Sequence, residues 1–128
     1  MKNLGLIIGL FFSLGAFAQG NYKLTWCDRN MDTQSEIKLE MSCLNNNPTI
    51  LGENGEVLTV KNYRLSFAEG DLVVQAVRNA EEKLDQRIFG ILKQSTGFAA
   101  GTLYDLVVID SKGKVRRIDQ AYKFTLTK

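Results

Sequence analysis

The chain has 128 residues, 45% of them hydrophobic, with 16 basic and 14 acidic side chains, two cysteines and no histidine. That length holds one domain with a single core. The missing histidine excludes Ser/His and Cys/His nucleophilic systems and His-based zinc sites, and a net charge of +2 is too weak for the long-range field of a general nucleic-acid binder.

Lys2, an apolar run from Leu4 to Phe17 and the Ala16-Phe17-Ala18 triplet predict a secretory signal peptide over residues 1–18, cleaved before Gln19. The run is shorter than the roughly 20 residues of a spanning helix, so no transmembrane segment is expected after processing. Residues 19–128 then form a single β-rich domain that is periplasmic or secreted. In an oxidising compartment Cys27 and Cys43 are expected to form a disulfide, which contributes about 3 kcal/mol by constraining the unfolded chain.

Along the mature chain, Tyr22, Leu24 and Trp26 alternate with Lys23 and Thr25, the pattern of a half-buried strand. A polar stretch from Asp28 to Ser35 follows. Then Ile37, Leu39, Met41 and Cys43 alternate with polar residues in a second strand. If these two strands formed a plain hairpin, Cys27 would lie opposite Glu36 and Cys43 far along the ladder. A disulfide needs its Cα atoms within about 7 Å, so the bridge predicts that residues 28–35 cross to a second sheet or that one cysteine sits at a bend.

Leu44 to Pro48 is a turn cluster, and Asn54-Gly55 predicts a type I′ hairpin. Asn62 to Phe67 alternates again. After Glu69-Gly70-Asp71, the nearly continuous apolar run Leu72–Val77 predicts a strand buried on both faces. From Asn79 to Gln94 the period changes: Asn79 as N-cap, Glu81 and Glu82 in the first turn, Lys93 in the last, and Ala80, Leu84, Ile88, Ile91 and Leu92 on one stripe predict an amphipathic helix. A connection over 95–101 leads to two strands around Ser111-Lys112-Gly113, a closing hairpin. The fold expected is mainly β: an antiparallel β-sandwich, Ig-like or related, with one amphipathic α-helix near residues 79–94. A partly open barrel closed by the helix is the second arrangement.

Few residues suggest chemistry. Asp28, Asn30 and Asp32 match the first three ligand positions of a calcium loop. Thr33 stands where the glycine belongs and Leu39 where the bidentate glutamate belongs, so a polar loop is favoured over a metal site. No phosphate-binding glycine loop and no motif-selected carboxylate pair is present; no cofactor and no enzymatic activity are expected. Lys112, Lys114, Arg116 and Arg117 cluster at the last hairpin, a candidate surface for an acidic partner or anionic headgroups. Aromatic residues do not interleave with these charges, which disfavours nucleic acid. Phe98, set among glycines and alanines, is a second candidate contact residue, although a loop aromatic more commonly folds onto the core.

From Ile91 the order is ILK, a Gly-containing loop, TLYDLVVID, SKGKVRRI and YKFTL. This order over the last forty or so residues resembles the end of the C-terminal domain of the periplasmic shaft protein of the gliding-motility and type IX secretion machinery. The resemblance implies a β-sandwich interaction module without catalysis and carries over no functional residues. The chain departs from that family in having its own signal peptide, two cysteines and no long shaft. The expectation is an exported, non-catalytic interaction module for an unidentified protein or cell-envelope component. A small-molecule or ion-binding β domain is the alternative. A filled core with an exposed edge strand favours the first reading and a deep apolar cavity the second.

Overall fold

The computed structural model describes residues 22–94 and 97–127. The expected signal peptide, residues 1–18, lies outside the described residues. The described residues form nine strands: β1 (Lys23–Trp26), β2 (Arg29–Asn30), β3 (Ile37–Glu40), β4 (Thr49–Leu51), β5 (Val57–Glu69), β6 (Leu72–Asn79), β7 (Ala100–Ile109), β8 (Val115–Ile118) and β9 (Tyr122–Thr127). A 3-10 helix occupies Met41–Asn45 and an α-helix, α1, Gln86–Gln94. No helix among the described residues is long and apolar enough to cross a membrane.

The mainly β class with one α-helix is as the sequence predicts. The arrangement is a near-closed barrel of one mixed sheet in place of two packed antiparallel sheets. Its path runs β2-β1-β4-β5-β7-β9-β3, with β6 added to β5 and β8 to β7. Two features produce this. β3 pairs with β9 in parallel, Ile37 beside Phe124 and Leu39 beside Leu126. And β5, thirteen residues long, pairs with β4 at its start and β6 further on, so a single bent strand joins what would otherwise be two sheets.

The bend in β5 is written in its burial pattern. Leu58 and Val60 face inward, then Tyr63, Leu65 and Phe67 do, so the alternation slips by one at Lys61–Asn62. β7 slips in the same way: Gly101 and Leu103 are buried, then Leu106 and Val108. The pairing of β5 with β7 shifts at these places, between Val60 and Asn62 and between Asn62 and Arg64. A bulge in each strand therefore compensates the other, which keeps both inner faces apolar while the sheet curls.

The core is filled by rings. Trp26 meets Phe124 edge to face at 5.4 Å and Tyr63 at 6.2 Å, and Phe124 meets Phe67 at 5.9 Å. Gly101 lies between Phe67 and Phe124 in the ladder, and its missing side chain leaves room for both rings. Polar ties seal one end. Trp26 Nε1 donates to the Asn46 carbonyl at 2.8 Å, Tyr63 Oη to Asn47 Oδ1 at 3.2 Å, and the buried Arg78 to the Asn45 and Asn79 carbonyls at 3.1 and 2.7 Å. The asparagine cluster that reads as a turn thus anchors three core side chains.

Cys27 and Cys43 are disulfide-bonded, with Cα atoms 6.0 Å apart. As the bridge requires, β1 and β3 are not paired with each other: β1 lies between β2 and β4, and β3 beside β9. Both cysteines sit at bends. Cys27 and Asp28 have φ of 51° and 63° in the two-residue β1–β2 loop, the backbone of a type I′ turn. The expected strand through Met41 and Cys43 ends at Glu40 and becomes the 3-10 helix, whose Met41, Cys43 and Leu44 are all buried.

Other elements depart from expectation. The Asn54-Gly55 loop is closed by Gly55 N to Gly52 O at 3.0 Å and Gly52 N to Glu56 O at 2.8 Å, with only Gly55 at positive φ, +82°. That is a three-residue loop ending in a glycine bulge, in place of a type I′ turn. β6 is an edge strand, so Leu72, Val73 and Val77 are exposed and the strand is not buried on both faces. The helix starts at Gln86, not at Asn79, because Ala80 N continues the β6 ladder by donating to Lys61 O at 2.9 Å. Asp85 is the cap: its Oδ1 accepts from Arg87 N at 2.9 Å, and its carbonyl accepts from Phe89 N at 3.0 Å. Leu84 and Leu92 are buried and Ile88 half-buried, whereas Ile91 of the expected stripe is exposed.

Candidate functional site

The basic residues singled out in the sequence lie on β8 and the loop before it. That loop repeats the β4–β5 geometry: Gly113 N to Asp110 O at 2.9 Å, Asp110 N to Lys114 O at 2.9 Å, and Gly113 at φ +79°. Asp110 organises it. Its Oδ1 accepts from the backbone N–H groups of Lys112 and Lys114 at 3.0 and 2.9 Å, and its Oδ2 from Arg116 Nε at 3.1 Å. The Lys114 N–H, followed by the Lys112 N–H and the Arg116 charge, holds the Asp110 carboxyl below the usual carboxylate range. Arg116 is held more firmly protonated than an ordinary guanidinium, first by a hydrogen bond with Tyr22 and then by the charge of Asp110.

A second carboxylate lies one turn of the ladder away. Asp105 stands at the β7 bulge with φ +55°, and its two oxygens accept from two neighbouring strands: Oδ2 from Arg64 Nε of β5 and Oδ1 from Arg117 Nε of β8, both at 3.0 Å. Aspartate suits the position because a short polar side chain tolerates left-handed backbone better than an apolar one. The guanidiniums keep outward N–H groups available, since the side chains of Arg64, Arg116 and Arg117 remain 51%, 49% and 68% exposed.

β8 pairs only with β7, with Val108 opposite Arg116 and Val107 opposite Arg117. Successive strand residues point to opposite faces. Arg116 therefore lies at the barrel rim beside Tyr22, and Arg117 on the outer face beside Asp105. A surface groove of about 810 Å³ wraps this edge, lined by Tyr22, Asp105, Asp119 and the residues from Lys114 to Arg117. A shallower one of about 380 Å³ adjoins it at Tyr104, Gln120 and Ala121 and shares Asp105 and Asp119. The two meet where the chain leaves β8 and enters β9. Guanidinium and ammonium groups alternating with carboxylates can bind an anionic group that also accepts hydrogen bonds from a phenol and an amide.

The structure brings Lys114, Arg116 and Arg117 together at the groove. Lys112 stays at the exposed loop, outside the lining. Phe98 is buried at 7% exposure, so of its two readings the exposed contact ring is corrected and the ring folded onto the core is the one found. Asp28, Asn30 and Asp32 follow one another through the β1–β2 turn and the loop after it. Asp28 is in the β1–β2 turn and Asn30 on β2, while Asp32 accepts from Gln34 N at 2.9 Å and Ser35 Oγ at 3.3 Å. Among the described residues no three His, Cys, Asp or Glu side chains converge to hold a metal ion. Sequence reasoning missed Tyr22, Arg64 and Asp105. For Asp105 a signal existed: a lone aspartate inside the apolar run of β7 marks the bulge. No protein-family model, curated protein or solved structure matches the chain.

Proposed function

We propose that the protein is an exported, non-catalytic interaction module that binds acidic groups of an envelope protein through the β8 groove. The observation that carries this reading is the contrast between interior and rim. Trp26, Tyr63, Phe67 and Phe124 fill the barrel, while half-exposed guanidiniums gather at one edge. A filled interior favours recognition at the surface over enclosure of a ligand. The resemblance to the shaft-protein domain supports the same class, and the disulfide is compatible with an oxidising, periplasmic or extracellular location.

Capture from native envelope by the tagged mature chain tests the reading. A specific protein should be retained by the parent, released as salt rises, and lost with a Lys114→Gln/Arg116→Gln variant. Equal retention by that variant at low salt would overturn it. The second reading, a small-molecule or ion-binding β domain, is favoured by the volume of the groove, which lies within the range of ligand pockets. It predicts a low-molecular-weight anion carried by the purified protein and no retained protein.

A further inference from the structure

Four strands have a side without a strand partner among the described residues: β2, β3, β6 and β8. Three carry the usual protection against pairing with another chain. β2 is two residues long and includes Arg29, β3 carries Lys38 and Glu40, and β8 carries Arg116 and Arg117. β6 has none of it. It runs eight residues, has no proline, pairs with β5 without a bulge and carries no charge before Arg78, which turns inward and is buried.

The direction of its free backbone groups follows from the ladder. Ala80 N donates to Lys61 O, and hydrogen-bonded and non-bonded pairs alternate in an antiparallel ribbon. Tyr63/Arg78, Leu65/Ala76 and Phe67/Val74 are therefore bonded pairs, and Val73, Gln75 and Val77 direct their N–H and C=O groups away from β5. The side chains of these same residues lie on the outer face, with Val73 and Val77 56% and 60% exposed.

We propose that β6 is a dimerisation edge, on which a second copy of this chain pairs its own β6 antiparallel about a two-fold axis at Gln75. The edge is self-complementary in that register. Val73 falls opposite the partner's Val77 and Val77 opposite the partner's Val73, each covering the other on the outer face. Gln75 meets the partner's Gln75, and an amide carries both donor and acceptor, so the axis leaves neither unpaired. About six backbone hydrogen bonds form across the three pairs. Asp71 falls opposite the neutral Asn79 of the partner subunit, and no like charges meet along the paired residues. The interface is isologous and closes on itself, which uses up the exposed edge without propagating a fibre. It is separate from the β8 groove, with β5 and β7 between them, and does not depend on the function proposed there.

Sedimentation equilibrium of the disulfide-intact mature chain over a range of concentrations tests this, with a concentration-dependent dimer as the expected result. Gln75→Pro removes an outward N–H and no bond to β5, so it should abolish the dimer and leave the circular dichroism unchanged. Val77→Lys, which sets a charge against the partner's Val73, should also give monomer and decides the matter if the proline variant does not fold. Under oxidation Gln75→Cys should give a covalent dimer, whereas Ser66→Cys, one strand inland, should not. A parent that stays monomeric throughout, or a dimer that survives both β6 substitutions, would overturn the proposal. So would a foreign protein that binds a monomeric parent and is lost with Gln75→Pro.

Discussion

Asp105 connects backbone and surface at a single residue. Its positive φ lets β7 bulge, the bulge restores Leu106 and Val108 to the core, and its carboxylate then faces Arg64 and Arg117. Asp105→Ala loses both ion pairs and places a less tolerant residue in left-handed backbone, so it should lower stability by about 1 kcal/mol. Asp105→Gly loses the same charges but relieves the backbone, and its urea midpoint should lie closer to that of the parent. Charge reversal at Arg117 would set a carboxylate against Asp105, so neutral substitutions at Lys114 and Arg116 report more cleanly on binding.

Among the elements, β7 carries the sheet: it pairs with β5 on one side and with β8 and β9 in succession on the other. Gly101 is where this crowding peaks. A Cβ there would stand 2.5 Å from Phe124 Cζ and 3.0 Å from Phe67 Cδ1, and both rings are fully buried and held by neighbouring rings. Gly101→Ala should therefore overpack the core and cost about 1–3 kcal/mol, seen as a lower denaturant midpoint with loss of near-ultraviolet aromatic dichroism.

At the scale of the whole molecule, the disulfide ties the β1–β2 turn to the 3-10 helix across a sequence separation of 16. Replacing both cysteines with serine should lower stability by about 3 kcal/mol, measured by urea unfolding of the two forms under the same conditions. The fold should also weaken in alkali. Burial pushes Tyr63 and Tyr122 up to about 12 from an ordinary 10.0, with the Arg78 charge opposing the rise at Tyr63. The folded state thus favours the neutral phenols. That contribution is fully present below pH 10 and is lost as the pH rises towards 12. Urea midpoints should fall across that window, and substitution of Tyr122 by phenylalanine should reduce the fall.

Much of this protein follows from local pattern alone. Alternation predicts strands at β1, β3 and β5, glycines mark the β4–β5, β5–β6 and β7–β8 loops, and two cysteines behind an expected signal peptide predict the bond that forms, whereas the second strand of the expected closing hairpin is divided into β8 and β9. The geometry of that bond, argued from Cα distance, already separates β1 from β3. Pairing over long distances is a different matter. Nothing local says that β3 will lie parallel to β9, that β5 will bend from one set of neighbours to another, or that β6 will be left at an edge, so sandwich and barrel were not distinguishable by period. The groove has the same origin. Lys114, Arg116 and Arg117 are near neighbours in sequence and legible there, but Tyr22 just before β1 and Asp105 on β7 join them in the groove lining, and Arg64 on β5 reaches Arg117 through their shared Asp105, only when the sheet curls. Phe98 joins the core and Leu72, Val73 and Val77 stay outside it for one reason: burial depends on what the tertiary fold places opposite a side chain, whereas hydrophobicity sets only the gain if something is there.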